Sequence, residues 1–242
     1  MRIFILILFV IIAFPVISQA QYLDYDDTDS ATTDDIYINI YDCYNPHMGG
    51  DSIRWKEPGM KYTGWYEEYY KNGNIKHKGY YNNGQLTTVY KNYFDDGQLE
   101  RSFKVKDSRN CQLEIYFPGG TLRSKVYYFK DHVLIWTDYY TNGNMEYYEE
   151  NNKSFDYYIK LEYYYSNTKP QSTLELTDKK NKLYSSKEYW KNGNLKEEGK
   201  RIFNNAVQDY QKTGTWNVYD SNGVKIAEED YVKGQLNDER KF

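Results

Sequence analysis

Between Thr63 and Leu236 the chain alternates apolar and polar residues in runs of strand length, and a turn-forming pair interrupts the alternation at a nearly constant interval. Aligned on Asn72-Gly73, the pairs are Asp96-Gly97, Gly119-Gly120, Asn142-Gly143, Asn167-Thr168, Asn192-Gly193 and Asn222-Gly223, with second members 24, 23, 23, 25, 25 and 30 residues apart. A fixed period of this size marks a repeat architecture in which each unit is one supersecondary element. Asn-Gly between alternating strand formers predicts a β-hairpin, because a type I′ turn needs positive φ at both central positions and Gly and Asn adopt it at low cost. Gly73, Gly97, Gly120, Gly143, Gly193 and Gly223 are therefore the expected turn positions. The one long interval assigns Ile202 to Thr213 to a loop insertion between the sixth and seventh units.

Four residues before the second turn member, all seven units carry tyrosine: Tyr69, Tyr93, Tyr116, Tyr139, Tyr164, Tyr189 and Tyr219. Three before stand Tyr70, Phe94, Phe117, Tyr140, Tyr165 and Trp190, with Asp220 in the last unit. Seven before stand Tyr66, Tyr90, Leu113, Trp136, Leu161, Ser186 and Trp216, and two after stand Ile75, Leu99, Leu122, Met145, Pro170, Leu195 and Lys225. A two-residue turn at Asn72-Gly73 pairs Tyr70 with Ile75, Glu68 with His77, Glu67 with Lys78 and Trp65 with Tyr80, which sets opposite charges and aromatics against each other. Strand periodicity then puts the positions seven before, three before and two after on one face, and the tyrosine ladder on the other. A β-bulge would flip that assignment locally. Aromatics on both faces suit an all-β fold, an elongated single-layer antiparallel sheet of about seven stacked hairpins.

Composition agrees with a sheet of this kind. The chain has 30 tyrosines and few aliphatic residues, so it must bury tyrosine where a globule would bury Leu, Ile and Val. The net charge is −4 with both signs interspersed, which argues against nucleic acid as a partner.

The N-terminus has another character. Met1-Arg2, an apolar run from Ile3 to Ile17 and Ser18-Gln19-Ala20 are arranged as a secretory signal, and the run is shorter than the roughly 20 residues a membrane-spanning helix needs. The expected organisation is a signal peptide over residues 1–20, an acidic leader over 21–62, a repeat domain over 63–236 and a polar tail over 237–242. The mature protein is then exported, periplasmic or secreted. Gln21 to Ile53 holds no Lys or Arg, lacks the glycine and spaced glutamate of a calcium loop, and reads as a solvated leader whose Ile36–Tyr44 segment adds a capping strand.

The units resemble MORN-type repeats, and more closely the bacterial MORN variant. Gly64-Trp65-Tyr66-Glu67-Glu68-Tyr69-Tyr70-Lys71-Asn72-Gly73-Asn74-Ile75, then Gly79-Tyr80-Tyr81-Asn82-Asn83-Gly84-Gln85-Leu86, follow its pattern most fully. Tyr189-Trp190-Lys191-Asn192-Gly193-Asn194-Leu195 and Gly214-Thr215-Trp216 also match, while the units around Gly120 and Thr168 have drifted. The resemblance implies stacked hairpins without a catalytic motif. It also carries a label, antitoxin component of a toxin–antitoxin pair (the YwqK type), which fits poorly with an exported chain.

Candidate chemistry is sparse. His47, His77 and His132 have no metal-ligand spacing, and no nucleophile or phosphate-binding motif occurs, so neither an enzyme nor a cofactor is expected. Cys43 and Cys111 are candidates for a disulfide in an exported protein, or else two buried thiols. The tyrosine ladder is the candidate binding surface, and another protein is the expected partner. A glycan, a lipid surface or a toxin are the alternatives, and the open sheet edges admit a dimer.

Overall fold

A computed structural model describes residues 54–107, 110–130 and 132–242. The signal segment, most of the acidic leader with its expected capping strand, Cys43 and His47 lie outside the described residues.

The described residues fall into two units, 54–62 with Asn83–Gln85, and Thr63–Asn82 with Leu86–Phe242. In the described part of the first, β1 (Trp55–Glu57) and β2 (Met60–Lys61) pair as a short antiparallel ribbon. Backbone bonds there run from Arg54 N to Gly84 O (2.8 Å) and from Gly84 N to Tyr62 O (2.7 Å).

The second unit is built on one open antiparallel sheet of fifteen strands in strictly sequential order. These are β3 (Gly64–Tyr69), β4 (Ile75–Asn82), β5 (Gln85–Tyr93), β6 (Leu99–Asp107), β7 (Asn110–Tyr116), β8 (Leu122–Phe129), β9 (His132–Tyr139), β10 (Met145–Asn151), β11 (Tyr158–Tyr164), β12 (Pro170–Asp178), β13 (Leu183–Tyr189), β14 (Leu195–Asn204), β15 (Asp209–Tyr219), β16 (Lys225–Val232) and β17 (Gln235–Lys241). The described residues contain no helix, so the all-β, single-layer reading holds. Every expected repeat turn joins an odd strand to the next even one.

The turns themselves differ from the expected type. Gly73 N bonds Tyr70 O (2.9 Å), Tyr70 N bonds Asn74 O (2.8 Å), and of the three loop residues only Gly73 has positive φ, at 86°. This is a three-residue loop, a tight turn followed by a left-handed glycine. Asn72 keeps a negative φ and its Oδ1 accepts Asn74 N (2.9 Å). Both-positive pairs occur in two-residue turns at the other ends of the strands, at Asn83-Gly84 (52° and 80°) and Lys233-Gly234 (51° and 82°), and among the repeat turns only at Gly119-Gly120 (99° and 85°).

A bulge accompanies each three-residue loop. Tyr69 faces Ile75, yet Glu68 faces His77, so Lys76 is an extra residue on the return strand. The same shift recurs in all seven hairpins and makes Glu100, Arg123, Glu146, Gln171, Lys196 and Ile226 the equivalents of Lys76. The loop displaces the register by one residue and the bulge restores it. The expected pairs Glu68–His77, Glu67–Lys78 and Trp65–Tyr80 therefore form, while Tyr70–Ile75 is replaced by Tyr69–Ile75.

One face carries the core. Its rows are the residues seven before and six after the turn position, directly opposed within each hairpin: Tyr90 with Phe103, Leu113 with Val126, Leu161 with Leu174. Tyr90 stacks on Phe103 with centroids 5.2 Å apart. Rings thus bury one another along the sheet, as the tyrosine-rich composition requires.

Two further expectations are corrected. Residues 202–204 and 209–213 form strand and only 205–208 a turn: β14 and β15 extend together, with Phe203 opposite Tyr210. Phe203 packs with Tyr157, Leu174 and Tyr184, and Tyr210 lies against that cluster. Burial of two more rings explains why the insertion is ordered. Residues 237–241 belong to β17, a polar and wholly exposed strand paired to β16, so the sheet runs on past Leu236.

Candidate functional site: the tyrosine-lined face

Each ladder tyrosine is the last residue of an outgoing strand, and each directly faces the residue two after the turn position: Tyr69–Ile75, Tyr93–Leu99, Tyr116–Leu122, Tyr139–Met145, Tyr164–Pro170, Tyr189–Leu195 and Tyr219–Lys225. Directly opposed residues share a face, so the position two after belongs with the ladder and not with the opposite stripe. The bulge is the cause, since it moves that residue across the sheet. The position seven before remains opposite the ladder, in the core. The result is a stripe of tyrosine and mostly aliphatic side chains, with tyrosines recurring roughly every 10 Å because each hairpin spans two strand spacings.

Four of the seven ladder hydroxyls are engaged by carboxylates. Tyr69 donates to Glu67 (2.5 Å), Tyr116 to Glu114 (3.0 Å), Tyr164 to Glu162 (3.1 Å) and Tyr219 to Glu198 (3.0 Å). Lys78 meets Glu67 at 2.5 Å and Lys125 meets Glu114 at 3.3 Å, so phenol, carboxylate and ammonium form short polar rows beside the stripe. Proton affinities follow from these contacts. The bonds from Lys78 and Tyr69 hold the Glu67 carboxyl below its usual range, and the Glu67 bond raises both Tyr69 and Lys78. Burial, then the Glu162 charge, pushes Tyr164 up to about 12, and burial followed by a glutamate contact also raises Tyr116 and Tyr219. These four phenols are held protonated and serve as donors. Ring surface is what they offer a ligand, and Tyr69 offers most, being 55% exposed beside Trp65 at 52%.

The aromatic three before the turn position has a separate task that the sequence did not reveal. Tyr70 donates to Tyr93 O (2.7 Å), Tyr140 to Tyr164 O (2.7 Å), Tyr165 to Tyr189 O (3.1 Å) and Trp190 Nε1 to Tyr219 O (3.2 Å), each reaching the backbone of the next ladder tyrosine. Asn72 and Asn74 both donate to Asp95 O (2.7 Å each), and Asn192 and Asn194 do the same to Ser221 O. The bulge residue completes the tip: Lys76 lies over Tyr70 (5.7 Å), Arg123 over Phe117 (5.9 Å) and Lys196 over Trp190 (5.5 Å). A 23–25-residue recurrence of Asn and aromatic side chains was the available signal. These contacts hold the ladder tyrosines in line.

Other candidate residues are placed as follows. His77 is buried and faces Glu68 in the strand register, with its ring nitrogens bonded to Asn92 Oδ1 (2.7 Å) and Tyr81 Oη (3.1 Å). His132 packs its ring 4.7 Å from Phe155. Cys111 is buried in β7. Among the described residues no group of three or more His, Cys, Asp or Glu is arranged to hold a metal ion.

Residues 62–83 and 185–201 match the family model of the MORN repeat variant. The first MORN stretch is the hairpin β3–β4 and the second falls on β13–β14. The other five hairpins share the turn and bulge geometry of these two without matching the MORN model. Among solved structures, the chain is similar to a porin-like protein from Bacteroides uniformis at 9% identity, over 72% of this chain and 86% of that one, with a TM-score of 0.23. It is also similar to TcdB2-TccC3 at 9% identity, over 74% of this chain and 14% of that one, with a TM-score of 0.18. Superpositions this loose bear on neither fold nor role. No curated protein matches the chain.

Proposed function

We propose that this chain is an exported, non-catalytic binding protein whose tyrosine-lined face receives another protein. The observation that supports the reading is the in-register row of seven cross-strand pairs, which gives one face a continuous stripe of ring and aliphatic surface flanked by charge. Repeat sheets of this kind offer long surfaces, and rings fixed at both ends of their contacts lose little entropy on binding. Export rests on the signal-like residues 1–20, and the non-catalytic reading on the lack of any nucleophile, base or metal constellation in the sequence. The antitoxin role follows from the MORN resemblance alone.

A second reading, glycan binding, draws on the exposed pair Trp65 and Tyr69 with Lys78 and Glu67 beside them, because sugars lie flat on such rings and bond to such charges.

The test is capture by the tagged chain from envelope and secreted fractions. One stoichiometric protein partner, lost when Tyr69, Tyr93 and Tyr139 become Ser in a variant that still unfolds cooperatively, supports the first reading. Retention of glycan without protein supports the second. Retention unaffected by the triple substitution removes the ladder from either role.

A further inference from the structure

Strand β17 is the outermost described strand at one side of the sheet, and its outer N–H and C=O groups have no neighbour among the described strands. All its residues are exposed. Its inner pairing is poor in charge terms: Asp238 directly faces Asp230 and Glu239 directly faces Glu229. Like charges across a strand pair are destabilising. Arg240 meets Glu228 (3.3 Å) and Lys241 meets Glu239 (3.2 Å), but both cations remain more than two-thirds exposed. Among the described residues no ion pair neutralises Asp238.

Edge strands are commonly guarded by charge against pairing with another chain. A guard works when the charges repel their own copies. Asp238-Glu239-Arg240-Lys241 does the reverse, because an antiparallel copy sets the acidic half of one strand against the basic half of the other. We propose that β17 pairs with β17 of a second copy of this chain, about a two-fold axis normal to the sheet.

Such an axis keeps each face continuous, so opposed residues must lie on the same face, which restricts the register. Centred on Glu239, the pairing places Asp238 opposite Arg240 of the second copy twice over, with the two Glu239 side chains flanked diagonally by Lys241. Centred on Arg240, it places Glu239 opposite Lys241 of the second copy twice over, with Asp238 flanking the arginines. Either register opposes one like pair at its centre, Glu239 with Glu239 or Arg240 with Arg240, but sets a cation against an acidic residue, Asp238 or Glu239, that β16 faces with a like charge. The fifteen-stranded sheet is doubled, and both tyrosine stripes lie on the same side of it, so a ligand with two copies of its own binding segment would be held by both.

The experiment is sedimentation of the full chain over a concentration series at low and high salt, with two variants. One carries Arg240→Glu and Lys241→Glu, the other Asp238→Lys and Glu239→Lys. The wild type is expected to shift with concentration from 29.0 kDa to twice that mass, less readily at high salt. Each variant alone is expected to stay monomeric, and their equimolar mixture to form a heterodimer. Amide exchange of wild-type β17 should slow as concentration rises, a readout that does not depend on either variant. A wild type that remains monomeric, a dimer that persists in either variant alone, or a mixture that fails to associate overturns the proposal.

Discussion

Trp216 covers the backbone of Gly199 so closely that a Cβ at residue 199 would lie 2.4 Å from the tryptophan Cδ2. Gly199 is the position six after the turn of the sixth hairpin and Trp216 the position seven before that of the seventh, so one repeat omits a side chain where the next lays its largest ring. Gly79 repeats the arrangement, with a Cβ there 3.3 Å from Cβ of Tyr90. Gly199→Ala is expected to destabilise the C-terminal hairpins by about 1–3 kcal/mol, an overpacking cost that outweighs the roughly 0.5–1 kcal/mol alanine gains over glycine inside a strand. Trp216 is fully buried, and Trp216→Ala is expected to cost about 3–5 kcal/mol. Denaturant unfolding followed by fluorescence checks both. The double variant should cost less than the sum, because the clash needs both residues.

The inter-hairpin bonds at the tips predict a gain as well as a loss. Tyr70→Phe removes the donor to Tyr93 O and is expected to cost about 0.5–1.5 kcal/mol. Phe94 occupies the same position one hairpin on and has no hydroxyl. Phe94→Tyr is therefore expected to stabilise by a similar amount, by supplying a bond to the backbone of Tyr116. A fall in thermal midpoint for Phe94→Tyr would mean the second tip lacks room for the hydroxyl.

The period, the hairpins and the partner strands were legible in the chain because Asn, Gly and Tyr recur at fixed offsets, and each residue type answers a local demand. The bulge was not legible. Lys76, Glu100, Arg123, Glu146, Gln171, Lys196 and Ile226 share no side-chain chemistry, so the extra residue leaves no compositional mark. Its consequence, Tyr69 opposite Ile75, reverses the face of one whole row. Residues 202–213 misled for another reason. A lengthened interval is silent about whether the added residues find a surface, and Tyr210 finds one 52 residues back, where its hydroxyl oxygen accepts Tyr158 N at 2.7 Å. The bulge is a relation between the two strands of one hairpin and the seating of Tyr210 a relation between distant units, and neither is written in the residue type at a single position.

The fifth hairpin carries its turn at Thr168, with φ of 71°, where six hairpins have glycine. Left-handed backbone costs an L-residue about 1–2 kcal/mol, and a β-branched side chain is among the least tolerant. Thr168→Gly is expected to raise stability by about 1 kcal/mol, part of the relief being offset by the entropy glycine gains in the unfolded chain. Gly143→Ala, at the equivalent position with φ of 84°, should do the opposite. Midpoints of chemical unfolding decide both, and equal midpoints for Thr168→Gly and wild type would show that the fifth turn relaxes in solution.

Alkaline pH should unfold the sheet through its tyrosines. Burial is the main cause that pushes Tyr148, Tyr164 and Tyr210 up to about 12 from the ordinary 10.0, and it carries Tyr158 and Tyr184 higher still. A group whose folded pKa is raised contributes stability that is fully present below its unfolded pKa and is lost as pH rises towards the folded one. Below pH 10 both states hold the protons and nothing is lost. Between about 10 and 12 the unfolded chain ionises its phenols while the folded sheet cannot, so each step upward favours unfolding. Phenolate absorbance and far-ultraviolet circular dichroism, recorded together, should change in one joint transition inside that window for the buried rings. A full phenolate signal gained before the dichroism changes would mean that the ring hydroxyls, donated to Glu150, Glu162 and the Tyr158 backbone, are open to hydroxide in the folded protein.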